Sequence, residues 1–302
     1  MSRLDIKGIQ KLALDIAKKE GEESIFSLAA QKAVRVKMWS TGLVDLDNML
    51  GGGIPEGRMV EIYGAESAGK TSLLYHLCSK QEVCLDVPIE GTFDTARAKV
   101  FGNRPKQMLV YNRCKYGEQA FNKLILFAEK GIPLAAVDSV PYMQSKADTD
   151  KILRAAHKDE AVELRVGGVA NLMNNYLPTL KEVIEVTGTS IVFVNQIRDT
   201  MGALPFGEKT HTPGGHQFHH TMSIRIHVTR KEWIKIPNYN PFSPAKEEPV
   251  GIIMKCKTTK NKCYEPFKEC ELPLIFDRGF VDFTDIEGIR KELMKIRREK
   301  YK

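Results

Sequence analysis

The residues of this chain with the clearest chemical potential lie between Met59 and Ser72, which read M-V-E-I-Y-G-A-E-S-A-G-K-T-S. Gly64, Gly69, Lys70 and Thr71 complete the spacing G-x-x-x-x-G-K-S/T, with an apolar run before it and a sequence able to continue as a helix after it. Glycines at these points let the main chain approach a ligand without an intervening Cβ, so several backbone N–H donors converge. The start of the following helix adds a partial positive charge. The chemistry this implies is capture of a triphosphate by Glu66, Ser67, Ala68, Gly69, Lys70, Thr71 and Ser72. Lys70 would reach the β- and γ-phosphates as a point charge, and the Thr71 hydroxyl would ligate Mg2+.

Two further carboxylates stand at the ends of apolar runs. Pro133 to Ser139 reads P-L-A-A-V-D-S, a buried strand closed by Asp138, which would hold Mg2+ through its water shell opposite Thr71. Val83 to Glu90 is a second such run. Pro88 donates nothing to a strand ladder, which puts it and Glu90 at the strand's C-terminal edge, where ligand-facing residues gather.

The elements needed to position these groups alternate between strand and helix. A short helix and a glycine turn over Ser40 to Arg58 lead into the first core strand. Gln119 to Lys130 and Val169 to Val186 have helical periodicity, and Thr189 to Gln196 is a buried strand with polar residues at its tip. Met222 to Val228, Gly251 to Lys257, Cys270 to Phe276 and Phe280 to Phe283 read as strands. The expected fold class is α/β: a three-layer P-loop core around a mostly parallel sheet, with antiparallel additions at its end.

Three segments lie outside that pattern. Leu4 to Lys19 carries Ile6, Ile9, Leu12, Ala13 and Ile16 at helical spacing, and Ser24 to Ala29 reads as extended. A helix and a lone strand cannot bury both faces, so this arm either packs back on its own domain or docks on a neighbour. Gln144 to Arg165 reads as a polar loop with a helical piece and Ile197 to Phe218 as a polar, Gly/Pro-rich loop, and a loop as long as the second is usually functional or disordered. Gly288 to Lys302 is a basic, helix-like tail, read as a solvated face.

Composition narrows the classes. No run approaches the ~18 unbroken apolar residues of a membrane helix, and the N-terminal residues alternate charge with hydrophobe, unlike a signal peptide. A cytoplasmic protein with no membrane contact is the expectation. The six cysteines form no C-x-x-C pair and suit a reducing compartment, and the spacing of His211, His216, His219 and His220 fits no standard zinc pattern. A formal charge of +7 permits contact with nucleic acid without demanding it.

Taken in order, the motifs resemble those of the RecA-type homologous recombinases. The resemblance covers about Leu4 to Phe283. It is carried by S-T-G-x-x-x-L-D at Ser40 to Asp47, E-I-Y-G-A-E-S-A-G-K-T at Glu61 to Thr71, Glu90, V-D-S at Val137 to Ser139, N-Q-I-R at Asn195 to Arg198, T-P-G-G at Thr212 to Gly215, and K-N-K at Lys260 to Lys262. The P-loop alone is common to many unrelated nucleotidases; the ordered set is far more restrictive. The resemblance implies a DNA-dependent ATPase that forms a helical homo-oligomeric filament on single-stranded DNA and exchanges strands with a duplex, using ATP and Mg2+.

Residue by residue, it implies that Glu90 activates the attacking water, that Gln196 senses the γ-phosphate, and that Lys260 and Lys262 reach ATP held by an adjacent subunit. Asp94 and Arg97 would border the base; bacterial members of the family usually have an aromatic where Arg97 stands, and an arginine can also stack on a base face. Two loops, about 144–166 and 197–218, would hold DNA through Arg165, Arg198, Met201, Phe206, Lys209, Gly214 and Gly215. Phe26 to Ala29 resembles the F-x-x-A polymerisation motif of archaeal and eukaryotic relatives. His219 and His220 replace a usual Lys and Phe.

The family's additional C-terminal domain and acidic tail are missing, as would suit a virus or mobile element. The implied organisation is an oligomerisation arm over 1–33, an ATPase core over 34–285 and a basic tail over 286–302. A hexameric helicase-like motor and a regulatory binder that holds ATP without exchanging strands remain the alternatives.

Overall fold

A computed structural model describes residues 11–13, 15–16, 18–19, 36–91, 93–159, 161, 167–199 and 210–300. The chain divides into two units, Met1–Lys37 and Met38–Lys302. In the first, residues 11–13, 15–16 and 18–19 are helical, with Leu12 exposed and Ala13 and Ile16 half-buried. Phe26 to Ala29 lie outside the described residues.

The second unit opens with β1 (Met38–Trp39), α1 (Val44–Leu50) and β2 (Ile54–Pro55), β1 pairing antiparallel with β2. There follow β3 (Met59–Gly64), α2 (Lys70–Ser79), β4 (Cys84–Val87), α3 (Thr95–Val100), β5 (Met108–Val110), α4 (Gly117–Glu129) and β6 (Leu134–Asp138). Next come α5 (Lys146–Ala156), α6 (Gly168–Thr187), β7 (Ser190–Gln196), β8 (Arg198–Asp199) and β9 (Thr210–His211). The last elements are α7 (Gly215–Thr221), β10 (Ile224–Pro237), β11 (Glu247–Asn261), β12 (Glu269–Ile275), β13 (Gly279–Phe280) and α8 (Ile286–Lys300).

Among the described residues the main sheet has the order β13-β12-β11-β10-β3-β7-β6-β4-β5. From β10 to β5 each strand is parallel to its neighbour, and β11, β12 and β13 are added antiparallel. This is the mostly parallel α/β sheet expected, with its antiparallel end. Side chains of a strand alternate between faces, and both faces here are apolar. Val60, Ile62, Ala136, Val192 and Val194 join Leu73, Leu74 and Leu77 of α2 on one side. Met59, Ala135, Val137, Ile191 and Phe193 join Phe121 and Leu124 of α4 and Leu172, Leu177 and Leu180 of α6 on the other. Two helical layers therefore clamp the sheet and hold its strand ends rigidly.

The helical piece expected in the first polar loop is α5, started where the Ser145 side chain accepts a hydrogen bond from the Asp148 N–H and caps the helix. Two segments differ from expectation. β10 and β11 extend as a long hairpin well past the stretches expected as strands. The charged residues Arg230, Lys231 and Glu232, which break the apolar pattern, are exposed. The basic segment after residue 285 is more than a solvated tail. Ile286, Ile289 and Leu293 fall on one helical face, and Leu293 is buried among Ile234, Ile236, Val250, Ile253 and Ile275. Arg297 Nε donates to Glu248 Oε1 at 2.7 Å on the same hairpin.

Candidate functional site

β3 ends at Gly64, where β10 passes so close that a Cβ would collide with the Val228 carbonyl. The turn beyond it takes a left-handed conformation at Ser67 (φ +58°) and again at Gly69 (φ +97°), the N-cap of α2. That path folds Ala65 to Gly69 back over the helix start, the shape the glycine spacing implied. Lys70 is buried, and its Nζ donates to the Ala65 carbonyl at 2.7 Å. Burial lowers its pKa, opposed by the negative charges of Asp138, Glu90 and Glu66.

Parallel strands bring their C-terminal tips to one edge of the sheet, and the acids meet the loop there. The Thr71 hydroxyl donates to Asp138 Oδ2 at 2.7 Å. Asp138 is buried and its pKa is raised chiefly by desolvation; the hydrogen bond from Thr71 opposes the shift, the Glu90 carboxylate adds to it, and Lys70 opposes it again. Glu90 is exposed just past β4, its backbone N–H donating to the Asp138 carbonyl at 3.2 Å. Ser139 Oγ donates to Glu90 Oε2 at 3.4 Å. The structure thus gathers Lys70, Thr71, Glu90 and Asp138 from three separate stretches of sequence.

Gln196 ends β7 directly beside Gly64 and is half-buried. Its neighbour Asn195 is fully buried and donates from Nδ2 both to Glu61 Oε1 and to the Pro213 carbonyl, each at 2.8 Å. The other Glu61 oxygen accepts from Arg225 Nε, and Arg225 donates from a second nitrogen to Thr212 Oγ1 at 3.0 Å. Thr212 Oγ1 also meets His219 Nε2 at 2.8 Å. Burial, with the Arg225 charge next, lowers the His219 pKa to about 4, leaving it neutral at physiological pH. A hydrogen-bonded chain of side chains therefore links β3, at the base of the phosphate loop, to residues 212–219. Sequence reasoning missed Glu61 and Arg225 as a pair, although a carboxylate in the middle of an apolar strand signals a buried partner.

Other expected residues take varied positions. Asp94 caps α3 by accepting from the Arg97 N–H at 2.9 Å, and the Arg97 guanidinium donates to Ser72 Oγ at 2.8 Å, on the phosphate-loop helix. Lys260 Nζ donates to the His219 and His220 carbonyls at 2.6 and 3.0 Å, and Lys262 Nζ to the His220 carbonyl at 2.9 Å. Both lysines thus satisfy the C-terminal carbonyls of α7, a favourable place for cations. Gly214 (φ +119°) is the N-cap of α7, and Gly215 is its first residue. Arg198 is exposed on β8, which pairs with β9. Arg165, Met201, Phe206 and Lys209 lie outside the described residues.

A cavity of about 500 Å³ is lined by Ser67 and Lys70, by Arg97, and by Trp233, Pro249 and Phe276. The last three lie on the β10–β11 hairpin and just past β12, which no motif pointed to. Among the described residues no three His, Cys, Asp or Glu side chains are grouped as metal ligands, and no helix is long and apolar enough to cross a membrane.

Similarity to known proteins extends along most of the chain. The model of the RecA N-terminal domain matches residues 7–281. Protein RecA of Ruminococcus albus is 34% identical over 280 residues, covering 90% of this chain and 65% of that protein. Protein RecA of Deinococcus radiodurans is 32% identical over 294 residues, covering 95% of this chain and 76% of that protein. The crystal structure of the RadB recombinase superposes with a TM-score of 0.57 at 17% identity, covering 81% of this chain and 99% of that one, a likeness of fold. With the family model matched along most of its length, and relatives this similar, the chain belongs to the RecA N-terminal domain family.

Proposed function

We propose that this protein is an ATP-dependent DNA recombinase that polymerises on single-stranded DNA and exchanges the bound strand with a homologous duplex. The observation that carries the reading is the convergence of Lys70, Thr71, Glu90 and Asp138 at one sheet edge, with a chain through Asn195, Glu61 and Arg225 tying β3, the strand that leads into the loop, to the 212–219 segment. Relatives named Protein RecA support it.

The phosphate loop would bind the triphosphate through its converging backbone N–H groups, with Lys70 on the β- and γ-phosphates. A hydroxyl and a buried carboxylate 2.7 Å apart fit a divalent cation, and Thr71 and Asp138 would hold Mg2+ there. Mg2+, when bound, would neutralise charge on the β- and γ-phosphates. Glu90 would take a proton from water as the water oxygen bonds to the γ-phosphorus; the bond to the bridging oxygen breaks, and ADP leaves with that electron pair. Gln196, beside Gly64, would register the γ-phosphate and pass its presence through Asn195 to the segment after it. Arg198 and the 197–218 loop would grip the DNA backbone.

Lys260 and Lys262 would serve an adjacent subunit, and the arm over 1–33 would dock on that neighbour. Electron microscopy with single-stranded DNA and a slowly hydrolysed ATP analogue tests the reading: open helical filaments are expected, whereas closed rings or unassembled protein would overturn it. Lys260→Ala with Lys262→Ala is expected to lose filaments and DNA-stimulated hydrolysis while the lone subunit still binds nucleotide.

A pH dependence follows from the same lysines. Burial, then the Lys262 and Arg225 charges, lowers the Lys260 pKa to about 8, against the pull of Glu61. A lysine with a lowered pKa is charged below that value and loses its charge as pH rises through it. Filament assembly, which starts from the free subunit, is expected to weaken as pH rises through about 8. Lys260→Arg, which stays protonated, should flatten that part of the profile. An unchanged profile in the Lys260→Arg variant would detach the effect from Lys260.

A further inference from the structure

The cavity at the phosphate loop is lined by two chemically different sets of residues. One set comes from the loop and includes Ser67, Gly69 and Lys70; the other includes Trp233, Pro249 and Phe276. Backbone donors and a lysine beside flat, apolar side chains match the two parts of a nucleotide. Trp233 is held in the lining by strand alternation. Ile234 and Ile236 are buried with Leu293 of α8 on the opposite face of the hairpin, so Trp233, one residue out of phase, turns toward the cavity.

Trp233 is 39% exposed, so part of its surface is open to a ligand in the cavity. It is also held in position. The Arg230 guanidinium lies 4.1 Å from its ring centre, and the Phe276 ring meets it edge-on at 6.3 Å and 83°. A ring held in place before binding loses little freedom when a ligand stacks on it. Arg97, in contrast, is tied to Ser72 Oγ on the phosphate-loop helix.

We infer that Trp233 is the base-stacking residue of the nucleotide site, and that the wall it forms with Pro249 and Phe276 favours a purine over a pyrimidine. The inference rests on the phosphate-loop reading above and adds to it the residue that selects the base. A purine offers the larger flat face, and stacking on an aromatic side chain strengthens binding with the area covered.

The two tryptophans allow a direct test. Trp39 lies on β1, its Nε1 donating to Ser190 Oγ at 3.0 Å, so Trp39→Phe leaves Trp233 as the single reporter. In that variant, ATP with Mg2+ and without DNA is expected to change the tryptophan emission saturably, and inorganic tripolyphosphate is expected to change it much less. Trp233→Leu should weaken ATP binding about tenfold and narrow the gap between ATP and UTP, while tripolyphosphate affinity stays unchanged. Trp233→Phe should restore most of the ATP affinity, separating loss of stacking from loss of folding.

The assignment is overturned if Trp233→Leu binds ATP as the wild type does, or if it loses tripolyphosphate and ATP equally. If tripolyphosphate fails to compete with ATP on the wild type, the phosphate-loop reading itself fails, and this assignment with it. The two failures are thus distinguished by which protein shows them.

Discussion

Replacing Glu90 with glutamine is expected to lower DNA-stimulated ATP turnover by about 100- to 10,000-fold, the usual contribution of a positioned general base, while nucleotide-dependent assembly on single strands persists. Glutamine keeps the shape of the side chain and can still accept the hydrogen bond that Ser139 Oγ donates to Glu90 Oε2. The backbone contact from the Glu90 N–H to the Asp138 carbonyl is independent of the side chain. Since Glu90 is exposed, folding should be almost unaffected. What glutamine lacks is a basic oxygen to take the proton from water. The triphosphate should therefore remain bound and uncleaved, and filaments should last longer than those of the wild type. Single-turnover hydrolysis alongside electron microscopy measures both halves; turnover within tenfold of the wild type would remove Glu90 from the chemistry.

Lys70→Ala is expected to remove nearly all ATP-dependent behaviour, with turnover falling by about 100- to 1,000-fold, as when a single donor to a developing oxyanion is lost elsewhere. Electrostatics also separates this effect from misfolding. Burial lowers the Lys70 pKa, so its charged form is disfavoured in the folded chain compared with the unfolded one. At neutral pH, below the pKa of the unfolded lysine, that mismatch destabilises the nucleotide-free protein. Lys70→Met keeps most of the aliphatic stem without the charge, and its melting temperature without nucleotide should equal or exceed that of the wild type. The stabilisation that ATP and Mg2+ give the wild type, about 2.7 kcal/mol at a hundredfold excess over Kd and read as a rise in melting temperature, should vanish in both variants. An undiminished ligand-induced shift in Lys70→Met would contradict the phosphate contact.

On the proposed function, the two lysines that cap α7 would tie activity to assembly. Within one subunit, Lys260 and Lys262 use their ammonium groups on the His219 and His220 carbonyls. Engaging a neighbour's triphosphate would draw them from those carbonyls, and Gly214, the N-cap of α7, immediately follows the Pro213 carbonyl that Asn195 holds. The lysines and the Asn195 link therefore meet the same short segment from opposite ends. Between the two ends lies a single short helix anchored by the buried Phe218.

How much of this was legible in the chain depended on distance along it. The strand, glycine turn and helix at Met59 to Ser79 are contiguous, and their signals are local: apolar alternation, glycines where the main chain must turn sharply, and a lysine and threonine at the helix start. Asp138 and Glu90 were readable for a similar reason, each closing a short buried run. Thr95–Val100 and Met108–Val110 left no such trace, being too short for a period to show. The helix of residues 286–300 reads as a solvated face because its charges outnumber the four apolar residues, Ile286, Ile289, Leu293 and Met294, that anchor it.

The sequence by itself determined the phosphate cradle, the mostly parallel α/β sheet and the ordered set of motifs, since each is written within a few consecutive residues. Only the tertiary structure decided which distant groups became neighbours. Sheet order sets β7 beside β3 and so puts Gln196 next to Gly64; β10 beside β3 brings Arg225 to Glu61; and the hairpin's two faces send Ile234 into the core and Trp233 to the cavity. Those juxtapositions come from burying both faces of one sheet between helices, a constraint on the whole chain that no single stretch of it contains.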